Sequence, residues 1–237
     1  MTRASWRSLR AATSPRIGAI PEMAAWIGIA SLLVAACSAT SMTSSQPTAS
    51  APSAAPATPT LPAGYVAIRE GPAPAGKYST TSFRPTVMFT IPSDGWRFFF
   101  QDDEDELTAG TSEIELTGGR VTNVLDPITR TIAPAPDDLV AWLGSHPGLD
   151  SGSPGPATVG GIAGQSIDVT NTGSANVDIF AYPTGNLRVA AGTTARIWVL
   201  PYDGPDLVFS GFARTTTFQQ ALPILQAIID SIVIGPG

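Results

Sequence analysis

Short alternating runs punctuated by Gly and Pro dominate the chain from about residue 80 to residue 215. Phe83–Ile91 (FRPTVMFTI) alternates in part and stops at Pro92-Ser93-Asp94-Gly95, a turn sequence. Trp96–Gln101 (WRFFFQ) follows, so the two runs read as a hairpin. Ser112–Thr117 (SEIELT) places Ile114 and Leu116 on one face, with Glu113 and Glu115 on an exposed one. Gly118-Gly119 then reads as a hairpin turn into Arg120–Leu125. Residues 160–170, 176–182, 194–200 and 206–213 read as four more strands. Two segments carry helical spacing instead. Asp137–Ser145 has an acidic start, Leu139, Trp142 and Leu143 on one face, and Pro147 beyond. Thr217-x-x-Gln220 is a capping box opening a last helix, with Phe218, Leu222, Leu225 and Ile229 as its apolar stripe. Pro223 is expected to kink the first half of that helix or shift its start. Strands, a helix, more strands and a terminal helix predict an α+β fold, an antiparallel sheet with two helices packed against it.

The pattern is different ahead of residue 63. Arg3, Arg7, Arg10 and Arg16 precede Met23–Ala36 (MAAWIGIASLLVAA), an uncharged and mostly apolar run of 14 residues. A basic stretch, a short apolar stretch and small residues make a secretory signal peptide over residues 1–36. The run is shorter than the roughly 20 residues of a membrane span. It ends in Leu33-Val34-Ala35-Ala36-Cys37, which resembles the lipobox of bacterial lipoproteins. That resemblance implies a diacylglyceryl group on the Cys37 thiol and cleavage just before it. Two acyl chains suffice for stable anchoring where one is marginal. The expected localisation is therefore the cell membrane, lipid-anchored, on its extracytoplasmic face.

Ser38–Pro62 holds 6 Ser, 6 Ala, 5 Thr and 5 Pro in 25 residues, with no charge. Such a segment cannot bury enough apolar surface to order itself, and its prolines make it a semi-rigid spacer. Fully extended it reaches on the order of 75 Å at about 3.1 Å per residue. Residues 63–237 are long enough for one domain with a proper core. Charge narrows the partners. The whole chain carries a net charge of -6, and loss of residues 1–36 leaves 9 Lys and Arg against 18 Asp and Glu. An acidic protein offers nucleic acid no attractive field. A single cysteine excludes an internal disulfide framework, and one His with one Cys excludes the common zinc sites.

Three stretches together are similar to the PsbP-like superfamily. They are Phe89-Thr90-Ile91-Pro92-x3-Trp96, then Val159-Gly160-Gly161-Ile162-x-Gly164-Gln165-x-Ile167-Asp168-Val169 after a mid-chain helix, and a closing Asp230-Ser231-Ile232. The resemblance covers most of residues 80–234. It implies an antiparallel sheet with helices packed against it, in a superfamily of extrinsic photosystem proteins and actinobacterial-type lipoproteins. It assigns no catalytic residue, and fold alone transfers no function.

Chemistry-bearing candidates are few. Asp102-Asp103-Glu104-Asp105-Glu106 is read as a solvated acidic loop between strands. Its calcium alternative places Asp102, Glu104, Glu106 and Glu113 at positions 1, 3, 5 and 12 of a loop whose sixth residue is Leu107 instead of Gly. His146, the sole imidazole, is read as a cation at a helix end or as an exposed side chain. The carboxylate pairs Asp137-Asp138 and Glu113/Glu115 suit a glycosidase in type, but each has a structural reading. Trp96, Phe98, Phe100 and Trp198 are read as core rather than as a pocket wall. Tyr182-Pro183-Thr184-Gly185-Asn186 reads as an exposed turn. No catalytic, cofactor-binding or metal-ligating set emerges and no cofactor is expected. The expectation is a non-enzymatic ligand-binding or assembly module for an unknown envelope protein or small ligand. An envelope hydrolase using paired carboxylates is the alternative.

Overall fold

The computed structural model describes residues 61–101 and 106–235. The signal peptide, Cys37, nearly all of the tether and Asp102–Asp105 lie outside them. The first half supplies β1 (Val66–Ala67), β2 (Gly71–Ala73), β3 (Gly76–Ser79), β4 (Val87–Ile91), β5 (Trp96–Gln101), β6 (Glu106–Gly110), β7 (Ile114–Val121), β8 (Asn123–Leu125) and β9 (Ile132–Pro134). The second supplies α1 (Leu139–Gly144), β10 (Asp150–Ser151), β11 (Gly155–Val159), β12 (Ile162–Thr170), β13 (Val177–Tyr182), β14 (Gly185–Val189), β15 (Thr193–Leu200), β16 (Asp206–Arg214), α2 (Phe218–Asp230) and β17 (Val233–Ile234).

These elements make three sheets, not the expected one. The largest runs β10-β12-β15-β16-β7-β6-β5-β2, with β11 also paired to β12. A second runs β1-β3-β4-β17 and a third β14-β13-β8-β9. The expectation of an α+β fold, one antiparallel sheet with two helices packed on it, is overturned: the fold is sheet-rich, with two helices set among three sheets.

The physical reason is that the large sheet needs cover on both faces. β16 is buried at seven consecutive positions, Leu207–Ala213. A strand buried on both faces reads as an apolar run rather than as an alternation. One face packs Leu107, Leu116, Phe209 and Trp198 against α2 residues Leu225, Ile228 and Ile229 and against Phe89 and Ile91 of β4. The opposite face packs Ile167, Ile197, Val208 and Phe212 under α1 and the third sheet, through Leu139, Leu143, Phe180 and Tyr182.

Two expected hairpins fail for the same reason. β4 and β5 belong to different sheets, so Pro92–Gly95 is a crossing between layers and not a hairpin turn. Gly118-Gly119 lies inside β7, which pairs continuously with β16 from Ile114↔Ala213 to Val121↔Asp206. These glycines give room instead of a turn. A Cβ on Gly118 would lie 2.9 Å from the Phe209 ring, and one on Gly119 would lie 2.4 Å from the Tyr182 hydroxyl. The true turn comes one residue after β7, at Thr122, where the chain passes into β8 of the third sheet.

Other readings hold with small shifts. The β12, β13, β15 and β16 segments appear within two residues of their expected starts and ends. Gly160 and Gly161, at φ of +57° and +84°, form a two-residue turn between β11 and β12. α1 starts two residues later than expected, at Leu139, because Asp138 is its N-cap: its Oδ1 accepts the Ala141 N–H at 2.9 Å. α2 starts as expected, but no capping box forms. Thr217 makes no side-chain cap bond, and its hydroxyl donates to the Arg214 carbonyl at 3.3 Å. Pro223 sits on the exposed side of α2, and the helix runs through it.

Gly119→Ala should therefore lower unfolding stability by about 1–3 kcal/mol in urea denaturation, because Tyr182 must give way. A turn glycine in an open loop would cost less, and full stability of the variant would contradict the packed strand.

Candidate functional site

The sequence candidates scatter once the chain folds. Cys37 and Asp102–Asp105 lie outside the described residues. Glu106 is no loop residue. It opens β6, is 5% exposed, and accepts from the Thr184 hydroxyl at 2.8 Å and the Thr108 hydroxyl at 3.4 Å. The turn at Pro183-Thr184 is thus tied back to the large sheet rather than free for recognition, although Thr184 itself is exposed. Glu106 and Glu113 stand at either side of the extended β6, so positions 5 and 12 of a calcium loop do not converge. Glu113 is exposed in the turn before β7, whereas Glu115 is half-buried and not on an open face. Trp96, Phe98 and Trp198 are buried in the core on the α2 side of the large sheet.

Asp137 and Asp138 are both exposed, and Asp138 is engaged as the α1 cap. The structure sets a different acid against it. Burial, and then the charge of Asp138, push the Asp206 carboxyl above the usual carboxylate range. Nothing in the sequence pairs these two residues, one the N-cap of α1 and the other the first residue of β16.

His146 neither caps a helix nor faces solvent. It is 5% exposed, stacks edge-on against Trp142 at 5.1 Å, and accepts the Gly148 N–H on Nδ1 at 3.2 Å. That bond places the ring proton on Nε2, which is buried and has no partner among the described residues. Ser145 donates to the Ala141 and Trp142 carbonyls and not to the imidazole, so no Ser–His relay forms. Burial, and then the charge of Arg130, hold the imidazole below its ordinary value of 6.5.

What the fold does build is an open cleft of about 370 Å3. Asp150, Ser151 and Gly152 line it together with Phe218 and Gln219 at the start of α2. A hydroxyl chain from Thr170 to Thr194 to Thr215, with both steps at 3.0 Å, also lines it. Asp168 lines the cleft but is already engaged. Arg196, its cross-strand neighbour on β15, donates to both carboxylate oxygens at 2.7 and 2.8 Å. Ser151 is engaged too, donating to the Leu143 carbonyl at 3.0 Å. The cleft therefore presents oriented hydroxyls, a Gln amide and the exposed Asp150, but no activated nucleophile.

Comparison with protein-family models finds no match, and comparison with curated proteins finds none. Solved structures give distant likenesses. The chain is similar to LpqN of Mycobacterium tuberculosis, described as involved in cell envelope biogenesis, at 13% identity and a TM-score of 0.34, over 71% of this chain and 91% of that one. It is also similar to the cyanobacterial PsbP (CyanoP) of Synechocystis sp. PCC 6803, at 10% identity and a TM-score of 0.40, over 69% of this chain and 94% of that one.

One pH dependence follows from His146. Its folded pKa is below the ordinary value, so on acidification the unfolded chain takes up this proton first. Its contribution to stability is constant above about pH 6.5 and is lost as pH falls from there to the folded pKa. Urea titrations across pH 7 to 5 should show this decline in the parent and a flatter profile in His146→Gln. Equal slopes would place the imidazole in solvent.

Proposed function

We propose that the protein is a lipoprotein anchored to the extracytoplasmic face of the cell membrane through Cys37, whose sheet-rich domain is a non-enzymatic binding or assembly module. The lipobox at Leu33–Cys37 and the uncharged Ser38–Pro62 spacer support the anchor. The state of the cleft's polar groups supports binding over catalysis, and this is the observation that carries the reading. Asp168 is held by both its oxygens, Ser151 is bonded to backbone, and the threonines are bonded to one another. Such groups are pre-oriented to recognise a polar ligand or a loop of a partner protein, and none is poised to abstract a proton.

The hydrolase alternative has one supporting observation, the raised Asp206 carboxyl beside Asp138. A retaining or inverting pair needs both carboxyls available to substrate. Asp138 Oδ1 is occupied by the α1 cap, which favours the binding reading.

Two measurements test the proposal. Intact mass of the protein extracted from its own membranes should show a diacylglyceryl-modified chain beginning at Cys37. Cys37→Ser should lose both the modification and membrane retention; a lipid-modified, membrane-bound variant sinks the anchor. Native mass spectrometry should show a discrete non-covalent companion that is diminished by Asp150→Asn combined with Gln219→Ala. Turnover of envelope polymer that is abolished by Asp206→Asn would replace binding with hydrolysis.

A further inference from the structure

The buried imidazole and one wall of the open cleft belong to the same short stretch of chain. His146 follows α1, and Asp150, Ser151 and Gly152, which line the cleft, come next. Few contacts hold this stretch. Residues 147–154 are exposed apart from the half-buried Leu149 and Ser151, so His146 is the one buried side chain of residues 146–154. β10 is a two-residue strand at the end of the large sheet, paired to β12 through Asp150↔Thr170 and Ser151↔Val169. The Gly152 N–H adds a bond to the Asp168 carbonyl at 2.9 Å, and the Ser151 hydroxyl donates to the Leu143 carbonyl at 3.0 Å. Segments with so little buried apolar contact open locally, at lower cost than the core.

Protonation acts on the anchor of that stretch. Nδ1 of His146 accepts the Gly148 N–H at 3.2 Å, and the Leu149 N–H bonds back to the His146 carbonyl at 3.0 Å, closing the turn that leads into β10. An imidazolium has two N–H donors and no acceptor. Its Nδ1–H would meet the Gly148 N–H, donor against donor, and the buried Nε2 has no partner among the described residues. Neighbouring charges do not relieve the cation. The β8–β9 connection contributes Arg130, of the same sign. α1 carries no charged residue, and Asp138 caps its far end. On β13, a Cβ on Gly148 would lie 3.2 Å from Val177, and the adjoining Asp178 is held by Arg188 at 3.1 Å. On its own stretch, Asp150 is exposed. A buried charge without a partner is costly, and opening returns it to water.

We infer that His146 is a proton switch for the cleft: its protonation releases residues 146–152 and takes the Asp150–Gly152 wall away from the threonine hydroxyl chain. This regulation rests on the reading of the cleft as a binding site. The sign follows from the ring. In the opened stretch the imidazole has its ordinary affinity for protons, and in the closed one a lower affinity. Each step of acidification below about pH 6.5 therefore favours the open form, by at most about 10-fold per pH unit.

Hydrogen exchange of the full-length protein from pH 7 to pH 5, corrected for the intrinsic pH dependence of exchange, reads the switch directly. The Gly152 amide should exchange through an easier opening than the β15–β16 ladder at every pH. Its protection should fall about 5-fold or more between pH 6.5 and pH 5. His146→Gln should flatten that profile. Ser151→Ala, which removes a bond without touching a proton, should lower Gly152 protection by one factor at every pH and keep the parent slope. A flat Gly152 profile in the parent overturns the switch, as does the parent slope in His146→Gln. So does Gly152 protection equal to that of the ladder, since the wall would then open only with the whole fold. The exchange profile decides the switch with or without a ligand, and the companion mass at neutral pH decides the binding reading, so the two fail separately.

Discussion

The structure depends on one backbone ladder. β7, β16 and β15 pair antiparallel over eight residues on each side of β16. β16, the middle strand of the three, carries side chains of both cores: Leu207 and Phe209 toward α2, Val208 and Phe212 toward α1 and the third sheet. Because successive side chains alternate faces, a slip of one residue would exchange the two cores. The close contacts lock this register. Phe209 fits only against Gly118, and Leu225 of α2 only against Gly211, where a Cβ would lie 2.8 Å away. Everything else hangs on that ladder. α2 closes one face and ties to β4 through the Ser231 hydroxyl, which accepts the Thr90 N–H at 2.9 Å. The third sheet closes the other face and reaches Glu106 through Thr184.

Local order was readable in the sequence wherever a signal is local. The apolar runs of β12, β13, β15 and β16 and the Asp138 cap of α1 needed only their own neighbours. Pairing was not readable, because it is decided by which layer receives each strand. Gly118-Gly119 has the composition of a turn, yet it serves a ring arriving from residue 209 on one side and from residue 182 on the other. β6 (ELTAG) escaped notice because it begins with the acid run and carries Thr, Ala and Gly where a strand usually shows branched or aromatic residues. The two-sided burial of the large sheet also defeated the expectation that Glu115 faces water.

Functional chemistry followed the same division. Cys37 is recognisable from contiguous residues. The open cleft is not, since its walls come from residues 150–152, 168, 170, 194, 215, 218 and 219, joined only when β10, β12, β15 and the start of α2 converge. His146 shows the opposite failure. Its place after a short helix suggested a surface cation, but packing against Trp142 removed it from water.

The central claim is that β7 passes straight through Gly118-Gly119 as an inner strand covered on both faces. Native-state hydrogen exchange at the Gly118 and Gly119 amides tests it most directly. In the paired strand both amides are protected and open only with the core, at free energies near that of global unfolding. Fast exchange at these two amides, beside protected neighbours at Leu116 and Val121, would mean a turn at this point and would contradict the three-sheet account.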